Sequence, residues 1–332
     1  MYLLSTPTSD QDLAITPIAA RVPLNADAFA RDAPEGVQTK RFRTAGIALQ
    51  ESGDRLRLYV SHHYWHDDQQ CFTLRVSVLE TTAAALTSTA QAWRTLFETS
   101  PCLPLETSEI FTGNQAGGRM IFPDPRHLLL TVGDHGFDGV NTAVALPQDA
   151  TTSYGKTLLL DVDTGEPQVY TVGHRNPQGL YLAPTGETWL TEQGAQGGDE
   201  LNLLTRGADY GWPSVTYGTD YDHLTWPPNR VQGDHAGFTL PVFAWVPSIV
   251  VSSLVGIEGP AFSLWTHDLM ASSLTDEALW RMRVRDGRVV VAERIPIRER
   301  IRDAIELPDG RLVLWTDSRS IVSIEPGDPG AK

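Results

Sequence analysis

Two groups of polar side chains stand out in the sequence because their residue types suit the binding of an anionic ligand. Arg175, Asn176 and Gln178 lie close together and supply several hydrogen-bond donors. Arg300 and Arg302 form the second group, and their spacing on a predicted strand points both side chains to the same face. Arginine is a planar, permanently charged partner for carboxylates. A solvated surface charge is the ordinary alternative for either group.

The elements that must position these groups are short strands joined by turns. Alternating apolar runs at 55–64 and 71–79 flank a polar tip and predict a hairpin. Further strands are predicted at 127–132, 156–162, 168–172, 188–191 and 311–316, and one short helix within 81–98. A strand, a turn with glycine and a second strand recur about every forty to sixty residues, as in propeller blades. The sequence therefore predicts an all-β propeller, with residues 1–332 as a single domain.

The amino-acid composition limits the kinds of molecule that the protein is expected to bind. The 332 residues carry 41 acidic and 26 basic side chains, a formal charge of −15. Such a surface repels phosphate backbones, so nucleic acid is not an expected partner. Surplus carboxylates suit Ca²⁺, although most are simply solvated. No apolar run approaches the length of a membrane span, so we expect a soluble protein.

The two cysteines and the N-terminal residues indicate in which cellular compartment the protein could reside. Cys71 and Cys102 either form one bridge or remain two buried thiols, and their spacing does not decide between these states. The first residues lack a basic segment followed by an apolar core, so no signal peptide is expected. The protein is then cytoplasmic, or a leader has been removed or lies upstream.

One segment carries a family resemblance. It contains GHRNPQG at 173–179, EQGAQGGDELN at 192–202 and DYGWP at 209–213, and three such motifs in this order are a specific signal. The segment resembles the central signature of the soluble glucose and aldose sugar dehydrogenases that use pyrroloquinoline quinone (PQQ). The resemblance extends more weakly from about residue 43 to residue 326. It implies a six-bladed β-propeller of four-stranded antiparallel blades.

The resemblance also implies roles for individual residues. Arg175 matches an active-site arginine near the quinone, and Asp134 matches an aspartate that orients the catalytic histidine. The cofactor-binding positions implied are Asn176, Gln178, Gln193, Arg300 and Arg302. The Ca²⁺ positions implied are the backbone carbonyls around Gly194 and Ala195, and a second site with Glu200 and the region of Tyr210.

The chain departs from the family pattern at two chemical positions and at its start. Gln115 stands where the family has the histidine that removes the substrate proton, and an amide has no useful proton affinity near neutral pH. Thr275 stands where a cofactor-contacting lysine is expected, and Arg41 or Arg43 is a candidate to compensate for a glutamine missing before 46–49. The chain is expected to begin inside blade one, which leaves that blade incomplete.

Three functions remain open at this stage. The first is a PQQ- and Ca²⁺-dependent oxidoreductase that acts on an aldose or another alcohol and passes electrons to an unknown acceptor. The second is a catalytically silent Ca²⁺-binding propeller that serves as a ligand- or protein-binding module. A Ca²⁺-dependent hydrolase or lyase in the same cavity ranks last, because fold does not fix function and no nucleophile stands out. The resemblance places the protein in the periplasm or outside the cell.

Overall fold

The computed structural model describes residues 1–4, 15–88, 91–105, 113–222, 225–228 and 233–327. Strands dominate these residues, and the α-helices among them are short: α1 (Ala26–Asp32) and α2 (Ala83–Leu86). Two single-turn 3₁₀ helices lie at Thr39–Arg41 and Ser263–Trp265. No helix in the described part of the chain is long and apolar enough to cross a membrane.

Five antiparallel sheets follow one another along the chain. The first contains β3 (Thr44–Ser52), β4 (Arg55–His66), β5 (Cys71–Thr82), β6 (Arg94–Glu98) and β7 (Leu103–Pro104). The second contains β8 (Gly117–Asp124), β9 (His127–Val132), β10 (Lys156–Asp161) and β11 (Pro167–Val172). The third contains β12 (Pro177–Leu182), β13 (Thr188–Glu192), β14 (Asp199–Leu203) and β15 (Phe243–Trp245).

The last two sheets complete the series. The fourth contains β16 (Val251–Gly256), β17 (Leu269–Ser273), β18 (Ala278–Arg285) and β19 (Arg288–Pro296). The fifth contains β20 (Ile301–Glu306), β21 (Leu312–Thr316) and β22 (Ile321–Ile324). The first strands of successive sheets, β3, β8, β12, β16 and β20, pack side by side. This is the arrangement of propeller blades around a central axis, and it confirms the predicted all-β propeller.

The expectation of six four-stranded blades is corrected by the sheet topology. The described residues form five blade sheets, and the last has three strands. The N-terminal residues do not add a strand to that sheet, because β1 (Tyr2–Leu4) pairs with β2 (Ile15–Pro17) in a sheet of their own. Met1 and Ile18 pack on the buried Leu58 and Val60 of β4. Apolar packing therefore holds this N-terminal segment against the first sheet, although it was expected to form part of an incomplete blade one.

The sequence-predicted hairpin is confirmed, and so is one short helix within 81–98. Strands β4 and β5 pair from Arg55 opposite Thr82 to His66 opposite Cys71. Among the described residues of 81–98, Ala83–Leu86 is helical, and Arg94–Glu98 forms β6, which pairs with β5. Leu96 and Phe97 of β6 are buried in the core between the first two sheets. Burial of these side chains on a sheet outweighs the weak helical pattern.

A disulfide bond joins Cys71 and Cys102, so the structure decides the alternative that the sequence left open. The two Cα atoms are 5.6 Å apart, and the bond closes a segment with a sequence separation of 31. Cys71 is the first residue of β5 and lies opposite Pro104 of β7. The bond therefore secures the short strand β7 to the edge of the first sheet.

Replacing both cysteines by serine should lower the free energy of unfolding by about 3 kcal/mol, because the unfolded chain loses a loop constraint. Urea denaturation of the oxidised protein and of the C71S/C102S variant measures the difference. Reduced wild-type protein serves as the control and should match the variant. Equal midpoints for all three samples would contradict the prediction.

Candidate active site at the blade centre

The three signature motifs meet in space at the inner ends of the second and third sheets. Arg175 follows β11, Glu192 ends β13, and Trp212 lies in the loop after β14. Glycine makes this approach possible: Gly173 has a φ of 77°, and a Cβ there would lie 2.5 Å from the amide nitrogen of Gly211. The sequence motif is therefore one compact site.

Arg175 lies at the middle of this site and is buried. Its backbone amide donates to a carboxylate oxygen of Glu192 at 2.9 Å. Its guanidinium donates to the carbonyl oxygen of Gly194 and lies 5.4 Å from the centre of the Trp212 ring. Its Nε is buried and donates to no acceptor among the described residues. Burying a cationic N–H group without a hydrogen-bond acceptor lowers the stability of the folded protein, and a bound ligand can supply that acceptor.

Asp134 lies directly beside Arg175, as expected for a member of the site. Its amide donates to the carbonyl of Arg175 at 2.9 Å. Its carboxylate accepts from the indole nitrogen of Trp212 at 2.6 Å and from the amide of Gly136 at 2.9 Å. Complete burial raises the pKa of Asp134 to about 7, although the charge of Arg175 opposes this shift.

Gln115 lies on the neighbouring backbone, at the position where the family resemblance implies a histidine. Its carbonyl accepts from the amide of His135 at 3.1 Å, and its φ is 55°. Burial lowers the pKa of the neighbouring His135 imidazole to about 3, so His135 does not offer a base at neutral pH. Its ring packs against Phe72 and Tyr154 inside the core.

The amides predicted to contact a cofactor form one chain of hydrogen bonds. Gln178 donates from its side chain to Asn176 at 2.8 Å, and Asn176 donates to the side-chain oxygen of Gln193 at 2.9 Å. Gln193 then donates to the carbonyl of Val251 in the fourth sheet at 2.6 Å. The three side chains are thereby held in fixed orientations next to Arg175.

A buried network supports the back of the site, and the sequence prediction missed most of it. Glu192 contacts the ring of His174 at 2.9 Å and accepts from Asn202 at 3.0 Å. Asn202 also donates to Glu200 at 3.2 Å, and His235 lies 3.8 Å from Glu200. Burial raises the pKa of Glu200. Glu192 is the first residue of the second motif and Trp212 lies in the third. Their places in these motifs were the sequence features that could have identified them as residues of the site.

The residues predicted to bind Ca²⁺ lie near one another in the same region. The carbonyl of Gly194 accepts from Arg175, and the carbonyl of Ala195 lies 3.4 Å from the hydroxyl of Tyr221. The side chain of Tyr210 donates to the carbonyl of Leu203 at 2.6 Å. The described residues include no cluster of three or more His, Cys, Asp or Glu side chains suited to a metal. Calcium binding stays a prediction.

Arg300 immediately precedes β20 and Arg302 lies in it, and both side chains bind the carboxylate of Asp317, whereas the sequence predicted a single strand with both arginines on one face. Arg300 Nε donates to Asp317 at 2.9 Å, and Arg302 Nη2 donates to the same oxygen at 3.0 Å. The two guanidiniums lower the pKa of Asp317. Asp317 follows the last residue of β21, and no sequence signal identified it.

A small cavity opens between Arg175 and the two glutamates of the network. Its walls combine backbone from glycine-rich turns with aromatic and charged side chains: Gly173, Arg175, Glu192, Gln193, Gly194, Gly198, Glu200, Tyr210, Trp212, Val215 and Thr216. A concave site with convergent polar groups is the usual form of a small-molecule site.

Comparison with known proteins identifies the family. The family model described as "Glucose / Sorbosone dehydrogenase" matches residues 44–322. The chain belongs to this family. It is 32% identical over 246 residues to an aldose sugar dehydrogenase of Escherichia coli, a match that covers 69% of this chain and 62% of that protein. The chain covers less than two thirds of the length of the curated relatives that it matches.

Solved structures of dehydrogenases share this fold. A crystal structure of glucose dehydrogenase superposes with a TM-score of 0.74 at 26% identity, covering 98% of this chain and 95% of that one. The PQQ-bound aldose sugar dehydrogenase of Streptomyces coelicolor has a TM-score of 0.61 at 23% identity, covering 85% and 79%. The latter likeness establishes the fold alone.

The raised pKa of Asp134 generates a pH-dependent prediction. Its folded pKa of about 7 lies above the ordinary 3.8, so the folded state binds the extra proton between these values. This contribution to stability is complete below about pH 4 and is lost as pH rises through 7. Relative to wild type, the Asp134→Asn variant should therefore gain about 4 kcal/mol between pH 4 and pH 8. Urea denaturation at both pH values measures this change, and a constant difference would contradict it.

Proposed function

We propose that this protein is a quinoprotein oxidoreductase that binds PQQ and oxidises an aldose sugar or another alcohol. The observation that carries the proposal is the buried Arg175, which lines the cavity and whose Nε has no acceptor among the described residues. The family match and the printed names of its relatives support the same chemistry.

The residues present suit a flat ligand that carries carboxylates and carbonyl oxygens. Arg175 would donate to a carbonyl oxygen, because its guanidinium is enclosed and partly unpaired. Asn176 and Gln193, fixed by their mutual hydrogen bond, would contact the edge of the ligand. Arg300 and Arg302 would bind carboxylates at the fifth sheet. When bound, PQQ supplies a quinone that accepts two electrons from the alcohol carbon.

The protein's own side chains contribute charge and orientation. Arg175 is a fixed cation in a buried setting, where it stabilises negative charge that develops during the reaction. Trp212 donates to the Asp134 carboxylate at 2.6 Å, and the amide of Asp134 donates to the Arg175 carbonyl, so these residues are tied to the backbone of Arg175. Gln115 can orient a hydroxyl group by hydrogen bonding, but it cannot remove the proton.

We also propose that the site binds Ca²⁺ next to PQQ. The Gly194 carbonyl now accepts from Arg175, so a cation bound there must displace or share that contact. Ca²⁺ takes six to eight oxygen ligands, and the carbonyls of Gly194 and Ala195 would provide two. Glu200 is the nearest predicted carboxylate ligand, and it already contacts Asn202.

A second candidate function is a binding module that has lost redox chemistry. Gln115 replaces the expected base, and Thr275 removes a positive charge from the cofactor site. Asp134 has a pKa near neutrality, but Trp212 and Gly136 occupy its oxygens and its side chain has no contact with solvent. These observations favour a ligand-binding propeller if turnover is absent.

An oxidising compartment is proposed as the site of action. The bond between Cys71 and Cys102 is typical of exported proteins and rare in the cytosol. A periplasmic or extracellular location is also the one that the family resemblance implies.

Titration of metal-stripped protein with PQQ is the direct test of the function. We expect saturable binding that raises the melting temperature, and a further rise when Ca²⁺ is added. Reduction of an artificial dye in the presence of a sugar panel then tests turnover. Binding without turnover would select the binding-module function, and no binding of PQQ at all would reject the proposed cofactor.

Gln115→His should restore or increase dye reduction by at least tenfold, since general base catalysis contributes about 10² to 10⁴ in rate. Histidine tolerates the left-handed φ of 55° at this position better than most residues. Gln115→Asn is the matched control, because it tolerates the same φ and lacks a base. A rate equal to that of the control would show that the site no longer supports this reaction.

A further inference from the structure

A fully buried lysine begins β10, and it is not among the residues that the family resemblance names. Lysine occurs in this chain at positions 40, 156 and 332, whereas arginine is far more frequent. Lys156 lies between Val132 of β9 and Val172 of β11 and has no exposed surface. Burying an ammonium group is costly unless it is hydrogen-bonded, so the partners of Lys156 have to account for its position.

The ammonium group of Lys156 is surrounded by oxygen atoms of one short segment, residues 146–154, which we name the 146–154 turn. The acceptors lie 2.8 to 3.3 Å from Nζ and are the carbonyls of Leu146, Pro147 and Tyr154 and the hydroxyl of Thr152. Within the described part of the chain, these neutral oxygens are its hydrogen-bond partners, and no carboxylate forms an ion pair with it. Lys156 therefore acts as an internal cation for this turn.

The charge and shape of lysine both suit this position. Burial lowers the pKa of Lys156 to about 8, and the charges of Asp149 and Asp209 act in the opposite direction, so the group is charged at neutral pH. An ammonium group is compact and directs its N–H donors to several sides, whereas the guanidinium of arginine is planar. An apolar side chain of the same length would remove the donor that these buried oxygens share.

The 146–154 turn contacts the candidate active site through Gln148, the residue after Pro147. The side-chain nitrogen of Gln148 donates to the carbonyl of Trp212 at 2.9 Å and to the carboxylate of Asp209 at 3.0 Å. A Cβ at Gly173 would lie 3.0 Å from the same nitrogen, so Gln148 packs closely on the start of the first signature motif. Gln148 therefore joins the turn to the first and third motifs.

The residue that Gln148 holds, Trp212, lies at the middle of the site. The amide of Trp212 donates to the carbonyl of Gly173 at 3.0 Å, and its indole nitrogen donates to Asp134. Its ring lies 5.4 Å from the guanidinium of Arg175, and both side chains line the cavity. A shift of Trp212 would therefore change the wall of the cavity and the surroundings of Arg175.

We propose that Lys156 is a positioning residue of this site. Its ammonium group holds the 146–154 turn in one conformation, the turn fixes Gln148, and Gln148 fixes Trp212 beside Arg175. Lys156 is not among the residues that line the cavity, so it acts only through these contacts. The consequence for PQQ binding rests on the proposed function. The alternative is a local role, in which Lys156 stabilises its own turn and leaves Trp212 unaffected.

Hydrogen–deuterium exchange tests the positioning without any ligand. In the Lys156→Met variant, amides of residues 146–155 and of 209–212 should exchange about tenfold faster, because the turn and its contact with Trp212 loosen. Amides of the fourth sheet, residues 251–296, should keep their wild-type rates. Lys40→Met is the matched control, since it removes the same side chain from an exposed position, and it should exchange like wild type. Faster exchange confined to 146–155, or an equal rise in every sheet, would overturn the proposal.

The Gln148→Ala variant tests the link between the turn and the site, and the exposed position of Gln148 makes the change compatible with the fold. K156M and Q148A should each weaken PQQ binding about tenfold in equilibrium dialysis, because the wall beside Arg175 is displaced. The double variant should bind no more weakly than the weaker single variant, since the two residues act in series. Additive losses, or wild-type affinity in Q148A, would overturn the role of Lys156 and leave the quinoprotein proposal standing.

The exchange rates of Q148A separate this inference from the proposed function and from a failure of K156M to fold. Q148A should speed exchange at residues 209–212 while 251–296 stay at wild-type rates. If wild type binds no PQQ but Q148A and K156M show this local change, the positioning role stands and the cofactor assignment falls. Wild-type exchange at 209–212 in Q148A would overturn the positioning role, whether or not PQQ binds.

Discussion

The side chain of Arg119 connects the inner strands of four blade sheets, and the arrangement of the rest of the propeller depends on this connection. It lies in β8 and donates to the carbonyl of Gln178 in β12 at 2.9 Å and to the carbonyl of Ser252 in β16 at 3.1 Å. Its third contact is with the carboxylate of Asp303 in β20 at 2.7 Å. One guanidinium therefore joins four successive sheets, using the planar arrangement of donors that lysine lacks.

This connection explains why residues from distant parts of the chain share one site. Gln178 and Ser252 are neighbours of Asn176 and Val251, which belong to the amide chain beside Arg175. Asp303 follows Arg302, so the same contact positions the arginines of the fifth sheet. The active-site groups have few direct bonds to one another across the axis, and their spacing is set by the packed inner strands. Such support from rigid elements is what a preorganised site requires.

The departures from the family pattern have different structural consequences. At Gln115, where the family resemblance implies a histidine, the backbone is held by a hydrogen bond from the amide of His135 to the Gln115 carbonyl. The neutral Thr275 follows Leu274, whose carbonyl accepts from Arg300 Nη1 at 3.3 Å, so Arg300 lies next to this position.

Local sequence was sufficient for the hairpin built from residues 55–64 and 71–79, for the other strand segments named and for the motif that contains Arg175, because these depend on alternation, turn residues and short spacings. Arg300 and Arg302 do meet at one carboxylate, but Arg300 precedes β20 and the strand register is irregular between Ile301 and Asp303, so strand periodicity alone does not account for it. The number of blade sheets, the pairing of Cys71 with Cys102 and the burial of Asp134 were decided only by tertiary structure. So were the contacts of Asp317 and Arg119, whose partners lie between 15 and 184 residues away. Periodicity fixes which way a side chain points, whereas packing between sheets fixes which group it meets.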